Sequence, residues 1–277
     1  DLHRVDRRQR QMCIRDRILG YPFLQSIQSI LPIVDEFVIN VGKSEDDTLE
    51  LIKSISSPKI RIIESHWNDL MQDRGYVYGQ QKMIAQFNCT GNWAFYVEGD
   101  EVYHEDDLEQ ISKSMKMHLN DVSVEALVFN FNHFYGNASS VLNSPGWYRS
   151  EARIIKNSVR SYAPDGLFWL VLDSNKKGRY PRAKHVGVSC YHYGWLRSES
   201  QMNLKSSKVQ KYWGGEPLKI DYSQMDQQII EEYKGSHPKI IQEWLPKDCE
   251  LYQACLLYTS DAADDLLCVD LGGRRII

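Results

Sequence analysis

The sequence predicts an α/β fold: a mostly parallel, twisted sheet with helices on both faces and an embellished C-terminal part. Three observations lead there. Apolar runs of strand length alternate with segments of helical period from Ile18 to about Asn132. Turn and capping residues fall between them, and beyond Asn132 short β-like pieces are separated by Gly, Pro and Asn turns.

In chain order, Phe23, Leu24, Ile27, Ile30 and Leu31 recur at helical spacing behind Pro22, a residue tolerated in a first turn. Glu36-Phe37-Val38-Ile39-Asn40-Val41 reads as a buried strand ending in the turn Gly42-Lys43-Ser44-Glu45. Asp46 or Asp47 caps a helix from Thr48 to about Ser54. Lys59 to Glu64 is the next strand, and a helix from about Gly79 to Asn88 closes at Cys89-Thr90-Gly91. The apolar strand Trp93-Ala94-Phe95-Tyr96-Val97 runs straight into Glu98-Gly99-Asp100-Glu101. An amphipathic helix from Asp106 to Met117 and a strand from Ala126 to Phe131 complete this half. Shorter strands follow at Arg149–Ile155, Leu167–Leu172 and Val186–Tyr191, with helices at about 198–212 and 224–233.

Composition narrows the function. The chain has 277 residues, 42% hydrophobic and 25% charged, with a net charge of -4, so the basic surplus of a nucleic-acid binder is absent. No apolar run reaches the roughly 20 residues of a membrane-spanning helix. No Gly-x-Ser-x-Gly elbow, Gly-x-Gly-x-x-Gly turn or Walker-type loop is present, which weakens hydrolase, dehydrogenase and kinase readings.

Both ends read as foreign. Met12-Cys13-Ile14-Arg15-Asp16-Arg17 back-translates to ATG TGT ATA AGA GAC AG and one further base, and Cys255-Leu256-Leu257-Tyr258-Thr259-Ser260 to TGT CTC TTA TAC ACA TCT. The two strings are reverse complements over most of their length and match the end of a transposon-based sequencing adapter, which Asp261-Ala262-Ala263-Asp264-Asp265 continues. Residues 1–17 and 255–277 are therefore expected to be non-native, leaving 18–254 as one domain and an internal fragment of a longer gene. Within it Cys89, Cys190 and Cys249 are widely spaced, which suggests reduced thiols in a cytoplasmic protein.

The sharpest chemical feature is Glu98-Gly99-Asp100-Glu101. In open α/β sheets ligands bind beyond the carboxyl ends of the strands. Alternate residues of an extended chain point the same way, so Glu98 and Asp100 can converge on one point, and Gly99 lets a ligand approach. Two carboxylates there suit Mg²⁺ or Mn²⁺ when a diphosphate supplies further oxygens. The plain alternative is a solvated acidic turn.

The order from Phe37-Val38-Ile39-Asn40-Val41 through Ser44, Asp46 and Thr48 to Gly91-Asn92-Trp93 and Glu98-Gly99-Asp100 resembles a family-2 glycosyltransferase of the GT-A fold. The resemblance covers roughly 21–131 well and the rest loosely. It implies a hexosyltransferase-like enzyme that moves a sugar from a nucleotide-sugar donor to a glycan, lipid-linked or protein hydroxyl, with inversion and with Mn²⁺ or Mg²⁺. The nucleotide-binding half would be about 18–131 and the acceptor half about 132–254. Asp100 then binds the metal, and Glu98 touches the ribose or the metal through water. Ser44, Asp46 and Lys82 fall at donor-binding positions, Lys82 reading otherwise as a solvated helix lysine. Val41-Gly42 stands where the family often has an Asp pair. The family's first strand would lie before Ile18, so the expected sheet lacks a central strand. Its implied setting is the cytoplasm or the inner membrane surface, with peripheral association, no nucleic acid and an undetermined oligomeric state.

A second constellation is Cys190-Tyr191-His192-Tyr193-Gly194-Trp195-Leu196-Arg197. Some GT-A enzymes use a late His as a third metal ligand, which the resemblance assigns to His192, and Arg197 can pair with phosphate oxygens. The alternative for His192 is a core His in an aromatic cluster. His185 is a weaker choice, and His104 and His133 read as structural. For the base that deprotonates the acceptor, Asp165 in Ala163-Pro164-Asp165-Gly166 is favoured over Glu151 and Asp173, although a turn Asp bonding its own backbone fits the same signal. Trp147, Trp169 and Trp195 are candidates for stacking on sugar rings. Two other readings stay open: a nucleotidyltransferase of similar fold, and a glycan-binding module without turnover.

Overall fold

The computed structural model describes residues 20–43, 46–144, 147–224 and 227–246, together with the backbone course of 7–13. Its elements begin with β1 (Arg7–Cys13), α1 (Phe23–Ile30), β2 (Glu36–Gly42), α2 (Thr48–Lys53), β3 (Ile60–Ser65), α3 (Tyr76–Phe87) and β4 (Trp93–Glu98). Strands β3, β2, β1 and β4 lie side by side in that order, each parallel to its neighbour. That order is one half of a doubly wound sheet, and it brings the carboxyl ends of all four strands to one edge.

The central slot expected to be empty is thus filled by β1, paired with both β2 and β4. A ladder uses only backbone N–H and C=O groups, so an extended segment can complete it whatever its side chains.

The chain continues through β5 (Glu101–Val102), α4 (Leu108–His118), β6 (Ala126–Tyr135), β7 (Ser140–Leu142), β8 (Ser150–Lys156), β9 (Ser161–Tyr162), β10 (Leu170–Leu172), β11 (Gly178–Arg179), β12 (Ala183–Trp195), α5 (Glu199–Val209) and β13 (Ile230–Glu232). Strand β8 inserts antiparallel between β4 and β6, while β12 runs parallel to β6 and antiparallel to the short β5. Strands β9 to β11 form a separate three-stranded sheet.

The alternation of β4 sorts the core into two layers. Trp93, Phe95 and Val97 pack with Phe23 and Ile27 of α1, Ile52 of α2 and Ile111 and Met115 of α4. Ala94 and Tyr96 face the other way, onto Trp169, Val171 and Met83 of α3. Helices therefore cover both faces, as a parallel sheet requires.

One expected element is corrected. The segment read as a helix over 224–233 holds a turn and β13, with Ile230 opposite Leu142 of β7. Its short apolar run carries no decisive period, and pairing with the edge of β7 beside the apolar cluster of Tyr135, Leu142 and Tyr222 selects the strand.

Candidate active site

The acidic turn is held by backbone contacts from three sides. The Ser26 hydroxyl of α1 donates to the Glu98 carbonyl at 2.8 Å, Glu98 N–H donates to Glu101 Oε2 at 3.2 Å, and Tyr193 N–H donates to the Asp100 carbonyl at 2.8 Å. The last contact continues the β5–β12 ladder, in which His192 lies opposite Glu101. This pairing brings His192 beside Asp100: Nε2 and Oδ2 are 3.6 Å apart, and both residues are 7% exposed.

Gly194 keeps the space between these two donors open. A Cβ there would stand 2.4 Å from Asp100 Oδ2 and 2.9 Å from His192 Nε2. A carboxylate oxygen and an imidazole nitrogen facing one small gap, kept clear by a glycine, fit a divalent cation. Burial works to raise the Asp100 carboxyl, but His192, Lys205 and Arg197 outweigh it and hold it well below the usual carboxylate range. Lys205 Nζ of α5 lies 4.0 Å from Asp100 Oδ2 and donates to the Gly194 carbonyl at 3.0 Å. Burial, then the like charge of Arg197, lowers its ammonium to about 8. Arg197 is buried over the Tyr21 ring at 4.4 Å, and its Nη2 has no hydrogen-bond partner.

Glu98 does not join Asp100 and His192. Its carboxylate turns to Arg153, with Oε1 3.5 Å from Nη2. Burial, followed by the neighbouring Glu101, pushes it up to about 8. The alternation rule fails here because the chain leaves the strand at Glu98 and turns. Arg153 and Glu101 form a fully buried pair with contacts of 2.6, 2.9 and 3.1 Å, and Arg153 Nη1 also donates to the Leu167 carbonyl at 3.0 Å. Arg153 thus links the acidic turn to the loop that carries Asp165.

That loop rests on α3. Lys82 is not a solvated helix lysine: it is fully buried, with Nζ 4.0 Å from the Tyr96 ring centroid, 3.8 Å from that of Trp169, and donating to the Gly166 carbonyl at 3.2 Å. Burial, then the charge of Arg153, lowers it to about 7. Asp165 Oδ1 accepts from Leu167 N–H at 2.8 Å, the self-bonding turn that was the plain alternative. Its charge still acts on Lys82 and Glu151.

Asp46 lies apart, in a cavity of about 330 Å³ at the carboxyl ends of β2 and β3, lined also by Gly42, Glu64, Ser65 and His66. Asp46 Oδ1 accepts from Thr48 N–H at 3.2 Å and so shapes the turn into α2. Ser44 lies outside the described residues.

Four residues of the site receive no role in it from the sequence: Glu101, which stands in the acidic turn, His133, which reads as structural, and Arg153 and Lys205. His133 stands next to His192 on β6, its Nδ1 3.0 Å from His192 Nδ1 and its Nε2 2.8 Å from the Tyr148 carbonyl. Burial, then His192 and Arg153, lowers its imidazole to about 3. A separate group, buried His104 with Glu105 and exposed Asp106, brings three donor atoms within 4.8 Å of one another, but His104 Nδ1 accepts from Asp106 N–H and so caps the turn before α4. Trp147 and Trp195 pack edge to face at 4.9 Å, and Trp169 is buried.

No family model and no curated protein matches the chain. Among solved structures, Staphylococcus aureus TarS aligns with 14% identity and a TM-score of 0.42 over 74% of this chain and 39% of that one. A TarS fragment, residues 1–349, aligns with 11% identity and a TM-score of 0.40 over 74% of this chain and 65% of that one. Glucosyl-3-phosphoglycerate synthase from Mycobacterium tuberculosis, solved with Mn²⁺, uridine-diphosphate-glucose and phosphoglyceric acid, aligns with 13% identity and a TM-score of 0.33 over 45% of this chain and 43% of that one. The chain therefore spans less than two thirds of each of these proteins.

Proposed function

We propose that residues 18–254, their sheet completed by β1, form an inverting, metal-dependent glycosyltransferase domain that moves a sugar from a nucleotide donor to an acceptor hydroxyl, with 1–17 and 255–277 as adapter-derived ends. The observation that carries the reading is the facing pair Asp100 Oδ2 and His192 Nε2, 3.6 Å apart across Gly194 at the carboxyl edge of a parallel sheet. Asp100 and His192 would hold Mn²⁺ or Mg²⁺, the imidazole favouring Mn²⁺. When bound, the metal supplies positive charge against the leaving diphosphate.

The residues of the chain divide the remaining work. Arg197, buried, and Lys205, partly buried, add two cations beside Asp100, more positive charge than that one carboxylate balances, and so favour phosphate oxygens. The cavity bearing Asp46 suits the nucleobase end of the donor, at the same sheet edge. Asp165, on the loop that Lys82 and Arg153 tie to the acidic turn, takes the acceptor proton at its carboxylate as the sugar is transferred. Glu98, raised by burial and by Glu101, acts through its contact with Arg153.

Calorimetry with Mn²⁺ and uridine diphosphate tests the reading. Asp100→Ala should abolish the metal-dependent part of nucleotide binding while leaving the unfolding transition in place. Binding equal to that of the unaltered chain would remove Asp100 from the metal site. Hydrolysis of a nucleotide sugar in the same mixture separates this reading from a binding module without turnover. Release of pyrophosphate from a nucleoside triphosphate would favour the nucleotidyltransferase.

A further inference from the structure

His192 holds its reactive nitrogen toward Asp100, and its other nitrogen determines what that one can do. The parallel register of β6 and β12 sets His133 directly opposite His192, with the rings at 80° and their centroids 4.9 Å apart. The two Nδ1 atoms are 3.0 Å apart, a hydrogen bond that contains one proton. The far nitrogen of His133, Nε2, is 2.8 Å from the Tyr148 carbonyl. A carbonyl only accepts, so His133 Nε2 carries a proton.

Two arrangements remain. If the shared proton belonged to His133, that ring would carry a full positive charge at a site 2% exposed, stacked on the Phe131 ring, which the fixed cation Arg153 also contacts at 4.8 Å. If it belongs to His192, His133 is neutral with both ring nitrogens partnered, and His192 Nε2 is the nitrogen left facing Asp100 Oδ2 at 3.6 Å. His133 is also gripped on its faces and edges by Phe131, Trp147 and Tyr148, with centroids at 5.3, 5.2 and 4.7 Å, so it cannot easily swing away.

We propose that His133 is the positioning residue of the site: it accepts the Nδ1 proton of His192 and so makes Nε2 the nitrogen that can present a lone pair to the gap beside Asp100. Carbonyl of Tyr148, His133, His192 and the gap then form one directed relay, the arrangement that orients a ligating imidazole. The tautomer stands on the hydrogen bonds alone; its use for metal binding rests on the reading of Asp100 and His192 as ligands.

The tautomer can be read directly from ring ¹⁵N resonances of the metal-free protein. His192 should carry a proton on Nδ1 in either charge state, and as a neutral ring none on Nε2; a neutral His192 protonated on Nε2 overturns the proposal. Calorimetry with Mn²⁺ alone then compares two variants. In His133→Asn the amide oxygen can stand near the position of Nδ1 and keep the acceptor, so affinity should stay close to that of the unaltered chain. In His133→Gln the amide reaches instead toward Tyr148, and affinity should fall about 10- to 100-fold. Equal Mn²⁺ affinity in His133→Gln and the unaltered chain would overturn the positioning role. If the unaltered chain binds no Mn²⁺ the metal reading fails, and the ring resonances alone decide whether His133 sets the tautomer of His192.

Discussion

Glu101 and Arg153 show how much of this site is held together by single side chains. Both are fully buried, and their bidentate contact is supplemented by Glu98 N–H on one side and the Leu167 carbonyl on the other. Two charges taken out of water are tolerable only as a pair, so removing one partner costs more than removing both. Glu101→Gln should therefore destabilise the fold by about 3–5 kcal/mol in urea unfolding, whereas Glu101→Leu combined with Arg153→Met should recover most of that loss. A single variant as stable as the unaltered chain would show that the pair is not the clamp described here. Asp100 could be found by reading the chain, because a carboxylate after a buried strand is a local pattern. Glu101 and Arg153 could not, since nothing near either residue in sequence announces the other.

At the level of elements, α3 decides where the Asp165 loop sits. The helix was expected from about Gly79, and it starts earlier, at Tyr76. Gly79 lies inside it for a reason that helix propensity does not supply. A Cβ at this position would stand 2.5 Å from the Ala163 carbonyl oxygen and 3.0 Å from the Asp165 nitrogen, so the loop backbone packs directly on the helix. Further contacts run along the same face: Gln86 Nε2 donates to Ser161 Oγ at 2.8 Å, and Trp169 Nε1 donates to Gln86 Oε1 at 2.7 Å. Propensity alone favours Gly79→Ala by about 1 kcal/mol, while forcing the loop away costs about 1–3 kcal/mol. The variant should lose stability on balance, and in turnover assays it should lose rate while retaining donor affinity. A raised melting temperature would mean that the loop can yield. β13 teaches the opposite lesson, because a short apolar run took its structure from an available edge strand.

Over the whole molecule, the site is bought with buried charge. Lys82 is fully buried, and its ammonium is lowered from its ordinary 10.5 to about 7, so the unfolded chain binds more protons than the folded one between those values. Stability rises with pH wherever the unfolded state holds more protons. The Lys82 contribution is thus fully present above 10.5 and is lost as pH falls through 7. Unfolding measured from pH 7 to 10.5 should show the unaltered chain gaining stability relative to Lys82→Met, which cannot titrate. Parallel curves for the two would show that Lys82 titrates normally. Both faces of the sheet pay similar attention to apolar packing, and no helix among the described residues is long and apolar enough to cross a membrane.

Short-range periodicity was enough to specify the α/β class, the strands β2, β3, β4 and β6 and the helices between them, because period and burial are written locally. The same reading located the acidic turn, since a parallel sheet delivers its strand ends to one edge. Which carboxylate faces which partner was settled only when β12 folded back along β6 and β5. Pairing of β12 with β5 and β6 put His192 against Asp100 and His133, pairing of β8 with β4 brought Arg153 within reach of Glu98, and packing on the sheet face closed Tyr96 and Trp169 over Lys82. Such contacts depend on register and burial in three dimensions, quantities that no window of neighbouring residues contains.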